Sequence, residues 1–430
     1  MTVETARVAI CWDSSYLWGL IAYRSFSCLG LDFDLIDSSD IRAGKLDGFD
    51  ILFVPGGWAS DKILALGGDG APAIRRFVGE GGSYLGCCGG AGLALSHDSG
   101  LGLASFGRLP TSQRLPSFSG RIVLEHTVPD HPMWRGIEPG AAFHAWWPGQ
   151  FALDGDPEVS VLARYGEALA GSFVADLPVG APFDWRRWEE IYGINLDPER
   201  IAGEPAVIEF PYGGGRAILS YLHFETPWDQ KGNLVMLNLI RYLSGGKEPA
   251  LPCPAQGVKP VPERERGAVS ELGPAAAAAR EMERRAWDFV HFGKQNFLWF
   301  WRTSWLLQWR RGVKGIEYSA LYGMLAELDR LTEKYEDRLG ADFEEQISVL
   351  LGRVDEFLNG ARTLLTLERW ALAQGPLSPL KSDDENINAA RERLFSRSKR
   401  CGGLYGEIME RADRLLLPLI RMESAEAGGA

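Results

Sequence analysis

Two short segments carry residue types that together could perform nucleophilic catalysis. In GGSYLGCCGGAG (81–92), Cys88 occupies a G-x-C-x-G frame after an apolar run, which predicts a strand, a tight turn and a helix start. Such a turn, a nucleophile elbow, presents the thiol at the strand end. In LSYLHFETP (219–227), alternation along a predicted strand places His223 and Glu225 on one face. The two segments predict a nucleophile (Cys88), a base (His223) and an orienting carboxylate (Glu225).

Simpler interpretations of these residues stay open. A free cysteine is often a small buried core residue, and Cys88 could be one. Its neighbour Cys87 is the weaker candidate for a nucleophile, because strand alternation turns its side chain away from the pocket. Asp13 follows the first predicted strand, where it could cap the next helix or line the pocket. His126 and His144 have no spaced partners and are interpreted as ordinary core or surface histidines.

Alternating strands and helices must position these residues. Predicted strands cover 7–13, 33–41 and 51–58 and the run before Cys88, and predicted helices cover 14–30, 71–80 and 232–246. This alternation over short loops indicates a parallel sheet with helices on both faces. In such a sheet Asp13, Gly56 and Cys88 all follow strand ends, so they can converge at one edge. Residues 105–215, rich in strand and turn signals, are predicted to complete this domain and add an insertion.

Beyond residue 246 the pattern changes. Residues 247–273 are rich in proline and lack hydrophobic periodicity, which predicts a linker. From 274 to 424 the sequence has helical periodicity, and an all-α helical bundle domain is expected, followed by a disordered tail at 425–430. The predicted helical segments are 275–312, 317–339, 342–373 and 386–422.

One predicted helix, 285–309, is unusually aromatic. Its aromatic residues recur around most of the helix, which is typical of a buried helix in a bundle core or a domain interface. A partner-binding surface and a membrane-surface helix are the alternatives, the latter because arginines accompany the aromatics.

Composition excludes several classes of protein. The 430 residues carry a net charge of −12, which gives no electrostatic footprint for nucleic acid. Six cysteines at this length, without metal-ligand spacing, predict neither a disulfide framework nor a metal site, and no motif indicates a cofactor. We expect a cytoplasmic protein, since no signal peptide precedes the first strand and no apolar run approaches the roughly 18 residues of a membrane span.

The two catalytic segments also resemble a known family. VPGGW (54–58), GGSYLGCCGGAGLAL (81–95) and GGGRAILSYLHFETP (213–227) resemble, in this order, the class I glutamine amidotransferase-like superfamily. The nearest likeness is to the amidotransferase-like domain at the N-terminus of some biotin–protein ligases. The resemblance covers residues 5–246 of a predicted domain at 1–246, and the helical remainder is unrecognised. It implies a flavodoxin-like α/β fold, the triad Cys88, His223 and Glu225, and an oxyanion hole formed by the N–H groups of Gly57 and Gly89.

Two departures limit what the resemblance implies. Glutamine-hydrolysing members carry a G-x-C-x-G-x-Q run, and Gly92 stands here in place of the glutamine. No biotin- or ATP-binding G-R-G-R loop is present either. The segment DHPMWRGIEP resembles a loop that recurs in related folds, so His131 could shape the pocket.

Two functions are therefore expected. One is thiol-dependent hydrolysis or acyl or amide transfer on an unknown small-molecule substrate. The alternative is a non-catalytic ligand-binding or scaffold module, whose helical domain mediates assembly with a protein partner or with a second copy of the chain.

Overall fold

The computed structural model describes residues 5–95, 100–153, 155–247, 272–396 and 401–428. The chain divides into two compact units, an N-terminal unit of residues 1–258 and a C-terminal unit of residues 259–430. The predicted linker at 247–273 lies outside the described residues, apart from its first residue and its last two.

The N-terminal unit begins with alternating strands and helices, as the sequence predicts. The elements are β1 (Val8–Cys11), α1 (Leu17–Cys28), β2 (Phe33–Ile36), α2 (Ser38–Arg42), β3 (Ile51–Val54), α3 (Ala59–Gly79), β4 (Ser83–Cys87) and α4 (Gly89–Ala94). The strand predicted at 33–41 is shorter, because the Asp37 side chain accepts hydrogen bonds from the Ser39 and Asp40 N–H groups and starts α2. Helix α3 begins twelve residues before the predicted 71–80 segment and is kinked at Gly67, where φ is 64°.

The rest of this unit is mostly strand. Its elements are β5 (Gly107–Arg108), β6 (Phe118–His126), β7 (Ala142–Trp146), β8 (Phe151–Ala152), β9 (Ser160–Ala168), β10 (Phe173–Val174), β11 (Leu177–Pro178), α5 (Trp185–Tyr192), β12 (Pro205–Tyr212), β13 (Gly215–Ser220) and α6 (Gln230–Leu243). Short 3₁₀ helices in the two units cover Lys45–Gly48, Pro132–Trp134, Pro198–Ile201 and Glu336–Arg338.

One mixed sheet organises the N-terminal unit. Five strands run parallel in the order β2-β1-β3-β4-β13, which is the flavodoxin-like order. From β13 the sheet continues with antiparallel strands, in the order β12, β9, β6, β10 and β11, and β7 pairs with β6, so that eleven strands are present among the described residues. The flavodoxin-like α/β fold is thus confirmed. The sheet is parallel only in the half that carries Cys88, and the other half is antiparallel.

The C-terminal unit is mainly helical. Its elements are α7 (Pro274–Gln295), β14 (Trp299–Trp301), β15 (Leu307–Trp309), α8 (Gly315–Tyr335), α9 (Ala341–Gln374), α10 (Glu385–Phe395) and α11 (Gly403–Gly428). The segment predicted as one helix at 386–422 is therefore two helices. Helix α11 continues to Gly428, into the region predicted as a disordered tail at 425–430.

The aromatic segment 285–309 is not one helix, which corrects the prediction. Helix α7 ends at Gln295, and the chain then forms the β14–β15 hairpin, in which Trp299 pairs with Trp309. The Trp299 ring packs where Gly293 leaves space, and its indole N–H donates to the Val290 carbonyl oxygen at 2.9 Å. Because the aromatics are divided between a helix end and a hairpin, their periodicity around one helix has no structural meaning.

The membrane alternative for this segment required a helical surface that the hairpin does not provide. Phe297 and Phe300 are exposed, whereas Phe289, Trp299 and Trp305 are buried in the unit's own core. None of the described helices is long and apolar enough to cross a membrane.

Candidate active site

Cys88 occupies a strained turn between β4 and α4. Its backbone has φ 50° and ψ −105°, a conformation that a residue with a side chain adopts only at an energetic cost. Its N–H donates to the Ser220 carbonyl oxygen at 2.8 Å, which ties the turn to the end of β13. The surrounding glycines are needed for space, because a Cβ on Gly90 would overlap the Val54 carbonyl oxygen. This is the elbow geometry that the glycine spacing predicts.

His223 and Glu225 form a fully buried pair. The distance between His223 Nδ1 and Glu225 Oε1 is 2.6 Å, and both side chains have 0% exposure. The pair is not built by strand alternation as predicted, since β13 ends at Ser220. Instead the His223 N–H donates to the His144 carbonyl oxygen at 2.9 Å, and the Thr226 hydroxyl donates to the His223 carbonyl oxygen at 2.8 Å. These contacts hold an irregular segment in which the two side chains meet.

The environment of His223 makes its imidazole strongly basic. Burial favours the neutral ring, but the Glu225 carboxylate and the nearby Cys88 thiol outweigh it and raise the pKa of His223 to about 10. With Nδ1 on Glu225, the remaining ring nitrogen is Nε2. This buried atom meets the geometric criteria for a hydrogen bond with none of the described residues. The imidazole thus has one oriented nitrogen and one open nitrogen, and Cys88 lies close enough to act on its pKa.

The neighbouring Cys87 differs from Cys88 in environment. Cys87 is fully buried, and burial, the Glu225 charge and Cys88 together raise its pKa well above the ordinary range. Cys88 is partly accessible, and its Sγ lies 4.0 Å from the Trp146 carbonyl oxygen. Of the two adjacent thiols, Cys88 is the one that a reagent can approach.

Gly57 and Gly89 lie in direct backbone contact beside Cys88. Gly57 has φ 109°, and a Cβ on Gly89 would overlap the Gly57 carbonyl oxygen. Gly89 is the first residue of α4, so its N–H has no intrahelical partner. The two residues expected to form an oxyanion hole are therefore in contact with each other, and one of them, Gly89, directly follows Cys88.

A buried lysine next to Gly57 was not anticipated from the sequence. Lys62 has 1% exposure, and its Nζ donates to the Asp13 carbonyl oxygen at 3.3 Å and to the Ser15 hydroxyl. A Cβ on Gly57 would lie 3.6 Å from Nζ. Lysine rarely occupies a buried position, and nothing in the local sequence distinguishes Lys62 from an ordinary surface residue of helix α3.

A tryptophan covers the base. The Trp18 ring stacks on the His223 imidazole, with 4.5 Å between centroids and 28° between planes, and it packs against Gly56. Trp147 meets Trp18 edge-on at 6.5 Å. Gly56 is thus required for the approach of Trp18, which is the role of this predicted pocket residue. Only long-range packing brings these rings together, so the sequence carries no signal for them.

Backbone strain is concentrated around the thiol. Eight non-glycine residues among those described have positive φ, and four of them belong to the segments just described: Ser14, Tyr16, Cys88 and Trp147. A Cβ on Gly57 would lie 2.6 Å from the Ser14 carbonyl oxygen, so the strained loop after β1 reaches Gly57 directly. Strain of this kind persists where the surrounding fold enforces it, and it clusters at functional sites.

Two of the predicted pocket residues have other contacts. The Asp13 carboxylate accepts the Ser38 N–H at the start of α2, so Asp13 caps a different helix from the one expected. His131 Nε2 lies 3.3 Å from Glu209, its Nδ1 accepts the Met133 N–H, and its ring meets Tyr242. The structure does not bring His131 to Cys88; the DHPMWRG segment instead builds the turn around Pro132–Trp134.

The position of the family's glutamine is sterically open. A Cβ on Gly92 would meet only Ala59, at an ordinary 3.8 Å. The fold therefore has room for a Cβ at position 92, so glycine is not required there by a contact with Cβ. No group of three or more His, Cys, Asp or Glu side chains within the described ranges is arranged to hold a metal ion.

No family model and no curated protein matches this sequence. Among solved structures, it is similar to PurLQS from Thermotoga maritima (18% identity, 56% of this chain and 100% of the other, TM-score 0.38). It is also similar to a putative component of GMP synthase from Thermoplasma acidophilum (14% identity, 56% and 96%, TM-score 0.36) and to a putative ThuA-like protein from Parabacteroides merdae (12% identity, 57% and 92%, TM-score 0.37). At these identities and TM-scores the similarity carries no information about activity.

Proposed function

We propose that the N-terminal unit is a thiol-dependent hydrolase or acyl transferase that acts on a small amide or ester. Cys88 is the nucleophile, His223 the base and Glu225 the group that orients the base. One observation carries this proposal: Glu225 occupies Nδ1 of a fully buried His223, while Nε2 stays open and Cys88 lies nearby on a strained turn.

Each residue has a defined step. Nε2 of His223, whose raised pKa favours the protonated ring, takes the thiol proton first, and Sγ of Cys88 then attacks the substrate carbonyl carbon. The N–H groups of Gly57 and Gly89 stabilise the oxyanion. When the bond to the leaving amine or alcohol breaks, His223 returns the proton to it, and Cys88 keeps the acyl group as a thioester. Water, or another acceptor, activated by His223 then releases the acyl group.

The resemblance to glutamine amidotransferase-like proteins supports the reaction class, and Gly92 argues against assuming glutamine as the substrate. The amide or ester is therefore left general. The likeness to the N-terminal domain of biotin–protein ligases adds no step to this mechanism.

Thiol alkylation tests the assignment without a known substrate. We expect iodoacetamide to modify Cys88 much faster than the half-buried Cys28 and Cys401, and p-nitrophenyl acetate to leave one acetyl group on Cys88 in the intact mass. In Cys88→Ala the acetyl adduct and the fast alkylation should both disappear, while the circular dichroism spectrum stays the same. Alkylation of Cys88 no faster than of Cys28 would refute the catalytic role.

A glycine pair in α4 tests the oxyanion hole with a matched control. Gly89→Ala should displace Gly57 and reduce the acetylation rate about a hundredfold or more, the effect of losing an oxyanion donor. Gly92→Ala changes the same short helix by the same methyl group but has room for it, so its rate should stay near that of the unaltered protein. Equal rates in the two variants would argue against the role of Gly57 and Gly89.

The alternative, a non-catalytic binding or scaffold module, has a specific observation in its favour. The C-terminal unit exposes large aromatic side chains, among them Phe297 at 81% and Trp370 at 70%. Such residues are suited to contact with a protein partner or a second copy. This function would be favoured if Cys88 were inert while Phe297→Ser or Trp370→Ser abolished an association measured by sedimentation.

A further inference from the structure

The proposed mechanism does not use a group of side chains in the same region as Cys88. We call this group the arginine cluster; it consists of Tyr221, Phe151, Arg108 and Arg114. Tyr221 follows Ser220, whose carbonyl oxygen accepts the Cys88 N–H. The Tyr221 ring packs on Gly149 and lies 4.4 Å from the Phe151 ring. Arg108 is the cross-strand partner of Phe151 in the β5–β8 pair. The cluster therefore begins at the residue next to the one that anchors the nucleophile.

Arg114 is held against the same segment. The next residue, Leu115, donates its N–H to Gln150 Oε1 at 2.7 Å, and Asn195 Nδ2 donates to the Arg114 carbonyl oxygen at 2.8 Å. Burial, and then the like charge of Arg108, lower the pKa of Arg114 to about 10, and both guanidinium groups act on the Tyr221 hydroxyl. One buried phenol therefore lies within the electrostatic influence of two guanidinium groups.

Two buried polar atoms of this cluster are unsatisfied. Within the part of the chain that the structure describes, neither the Tyr221 hydroxyl nor Arg114 Nε has a hydrogen-bond partner. Tyr221 is 2% exposed, so its hydroxyl cannot be satisfied by bulk water. Unpaired buried donors and adjacent like charges are destabilising unless an anion binds between them.

Neighbouring residues of the same segments contact the thiol and the cluster. Cys88 Sγ lies 4.0 Å from the Trp146 carbonyl oxygen, and Gly149, three residues later, contacts the Tyr221 ring. Cys88 also acts electrostatically on both Tyr221 and Tyr165, whose hydroxyl donates to the Gly149 carbonyl oxygen at 3.1 Å. Residues 146–151 and 220–221 therefore include contacts both with Cys88 and with the cluster.

We propose that the substrate of Cys88 carries a carboxylate group, which Arg114, Arg108 and the Tyr221 hydroxyl bind. This inference rests on the proposed nucleophilic role of Cys88 and specifies the class of substrate. Guanidinium groups match a carboxylate with paired N–H donors, and a phenol hydroxyl can donate a further hydrogen bond. An acyl group with an acidic end is thereby selected over a neutral one of similar size.

Two alkylating reagents of nearly equal size test this selection. Iodoacetate carries a carboxylate and iodoacetamide is its neutral counterpart. The measured quantity is the rate of reaction of Cys88 with iodoacetate divided by its rate with iodoacetamide. Tandem mass spectrometry distinguishes modification of Cys88 from modification of Cys87. Free glutathione gives the same ratio for a thiol without a binding site. We expect the ratio for Cys88 to exceed that for glutathione by about tenfold, the effect of one charge-assisted hydrogen bond.

Arginine variants locate the effect. Arg114→Gln and Arg108→Gln should each return the ratio toward the glutathione value, whereas Arg186→Gln, at a highly exposed position of the same unit, should leave it unchanged. The iodoacetamide rate in each variant reports whether the fold and the thiol are intact. Arg108 is exposed, so its variant provides a test even if Arg114→Gln does not fold.

The outcomes separate the two proposals. A fast, His223-dependent reaction with iodoacetamide, combined with a ratio equal to that of glutathione in all proteins, would overturn the carboxylate site and leave the nucleophile assignment in place. A slow reaction of Cys88 with both reagents would overturn the nucleophile assignment and, with it, this inference.

Discussion

Each unit contains a fully buried carboxylate paired with a basic side chain: Glu368 with Arg391, and Glu225 with His223. The two pairs differ in the other hydrogen bonds of the basic side chain. In the C-terminal unit, Arg391 donates to Glu368 at 2.8 Å from Nε, and its other nitrogens donate to the carbonyl oxygens of Ser378 and Gly312. In the N-terminal unit, His223 contacts Glu225 through Nδ1 and leaves Nε2 open. All three guanidinium nitrogens are engaged in hydrogen bonds, whereas only one of the two imidazole nitrogens is.

This difference separates a structural pair from a chemical one. Arg391 joins α10 to α9 and to the loops at Gly312 and Ser378, so its charge is satisfied by the fold itself. The His223–Glu225 ion pair, by contrast, joins residues only two positions apart. An ion pair that links no distant elements through its charges and keeps one nitrogen available is better explained by reactivity than by stability.

The largest expected effect concerns the structural pair. Arg391→Met leaves Glu368 buried without its partner and should reduce the free energy of unfolding by about 3–5 kcal/mol, measured by urea unfolding. The alkylation rate of Cys88 should not change. Arg391→Met/Glu368→Leu, which removes both charges, should recover most of the loss. If the single variant also lowered Cys88 reactivity, the two pairs would not be separable as described.

For His223→Gln we expect a large loss of Cys88 reactivity and a smaller loss of stability. Glutamine can still donate to Glu225, so the loss of stability should be smaller than for Arg391→Met. Without the base, however, acetylation of Cys88 by p-nitrophenyl acetate should slow by about a hundredfold or more. A variant that remained reactive but was strongly destabilised would assign His223 to the structural class.

The pH dependence of stability should show the two pairs in different pH windows, which overlap only between about 6.5 and 7. Burial raises the pKa of Glu368 to about 7 against the opposing effect of Arg391, so its contribution is complete below about 4.3 and is lost as the pH rises to 7. The pKa of His223 is raised to about 10, so its contribution is complete below about 6.5 and is lost as the pH rises through 10.

Each window should disappear in one variant. Glu368→Gln should remove the slope between pH 4.3 and 7, and His223→Gln the slope between 6.5 and 10, each up to about 1.4 kcal/mol per pH unit. The measurement is the free energy of unfolding in urea across this range. A high-pH slope that persists in His223→Gln would show that another group is responsible.

Substitution of Cys87 should have the smallest effect on stability and on the reactivity of Cys88. Its thiol is buried and stays protonated, so iodoacetamide should not modify it in the folded protein. Cys87→Ala should lower the free energy of unfolding by about 1–2 kcal/mol, as for a small core truncation, and change the Cys88 alkylation rate less than threefold or so. Loss of reactivity in Cys87→Ala alone would transfer the nucleophile assignment to Cys87.

The elements that carry Cys88 could be predicted because their signals are local. Glycines next to Cys88 are required by close contacts with Val54 and Gly57, and the parallel order follows from alternating strands and helices. The proximity of His223 to Glu225 needs only a two-residue separation, although an irregular segment rather than a strand provides it. The catalytic roles of these residues stay predictions.

The prediction from periodicity was wrong in the aromatic segment, where a helix end and a hairpin have similar aromatic composition. Residues 285–309 read as a single aromatic helix because the sequence does not reveal that Gly293 makes space for the Trp299 ring and that the chain reverses into a hairpin. The same limit explains His131, whose contacts with Glu209 and Tyr242 come from distant strands and helices.

The sequence by itself determined the thiol, its glycine-rich turn and the H-x-E segment, because each depends on the conformational preferences of adjacent residues. Only the tertiary structure decided the surroundings of the thiol. Trp18 over His223, Lys62 beside Gly57, and Arg108 and Arg114 around Tyr221 come from segments far apart in the chain. These contacts exist only once the fold has brought the segments together, so no pattern of neighbouring residues encodes them.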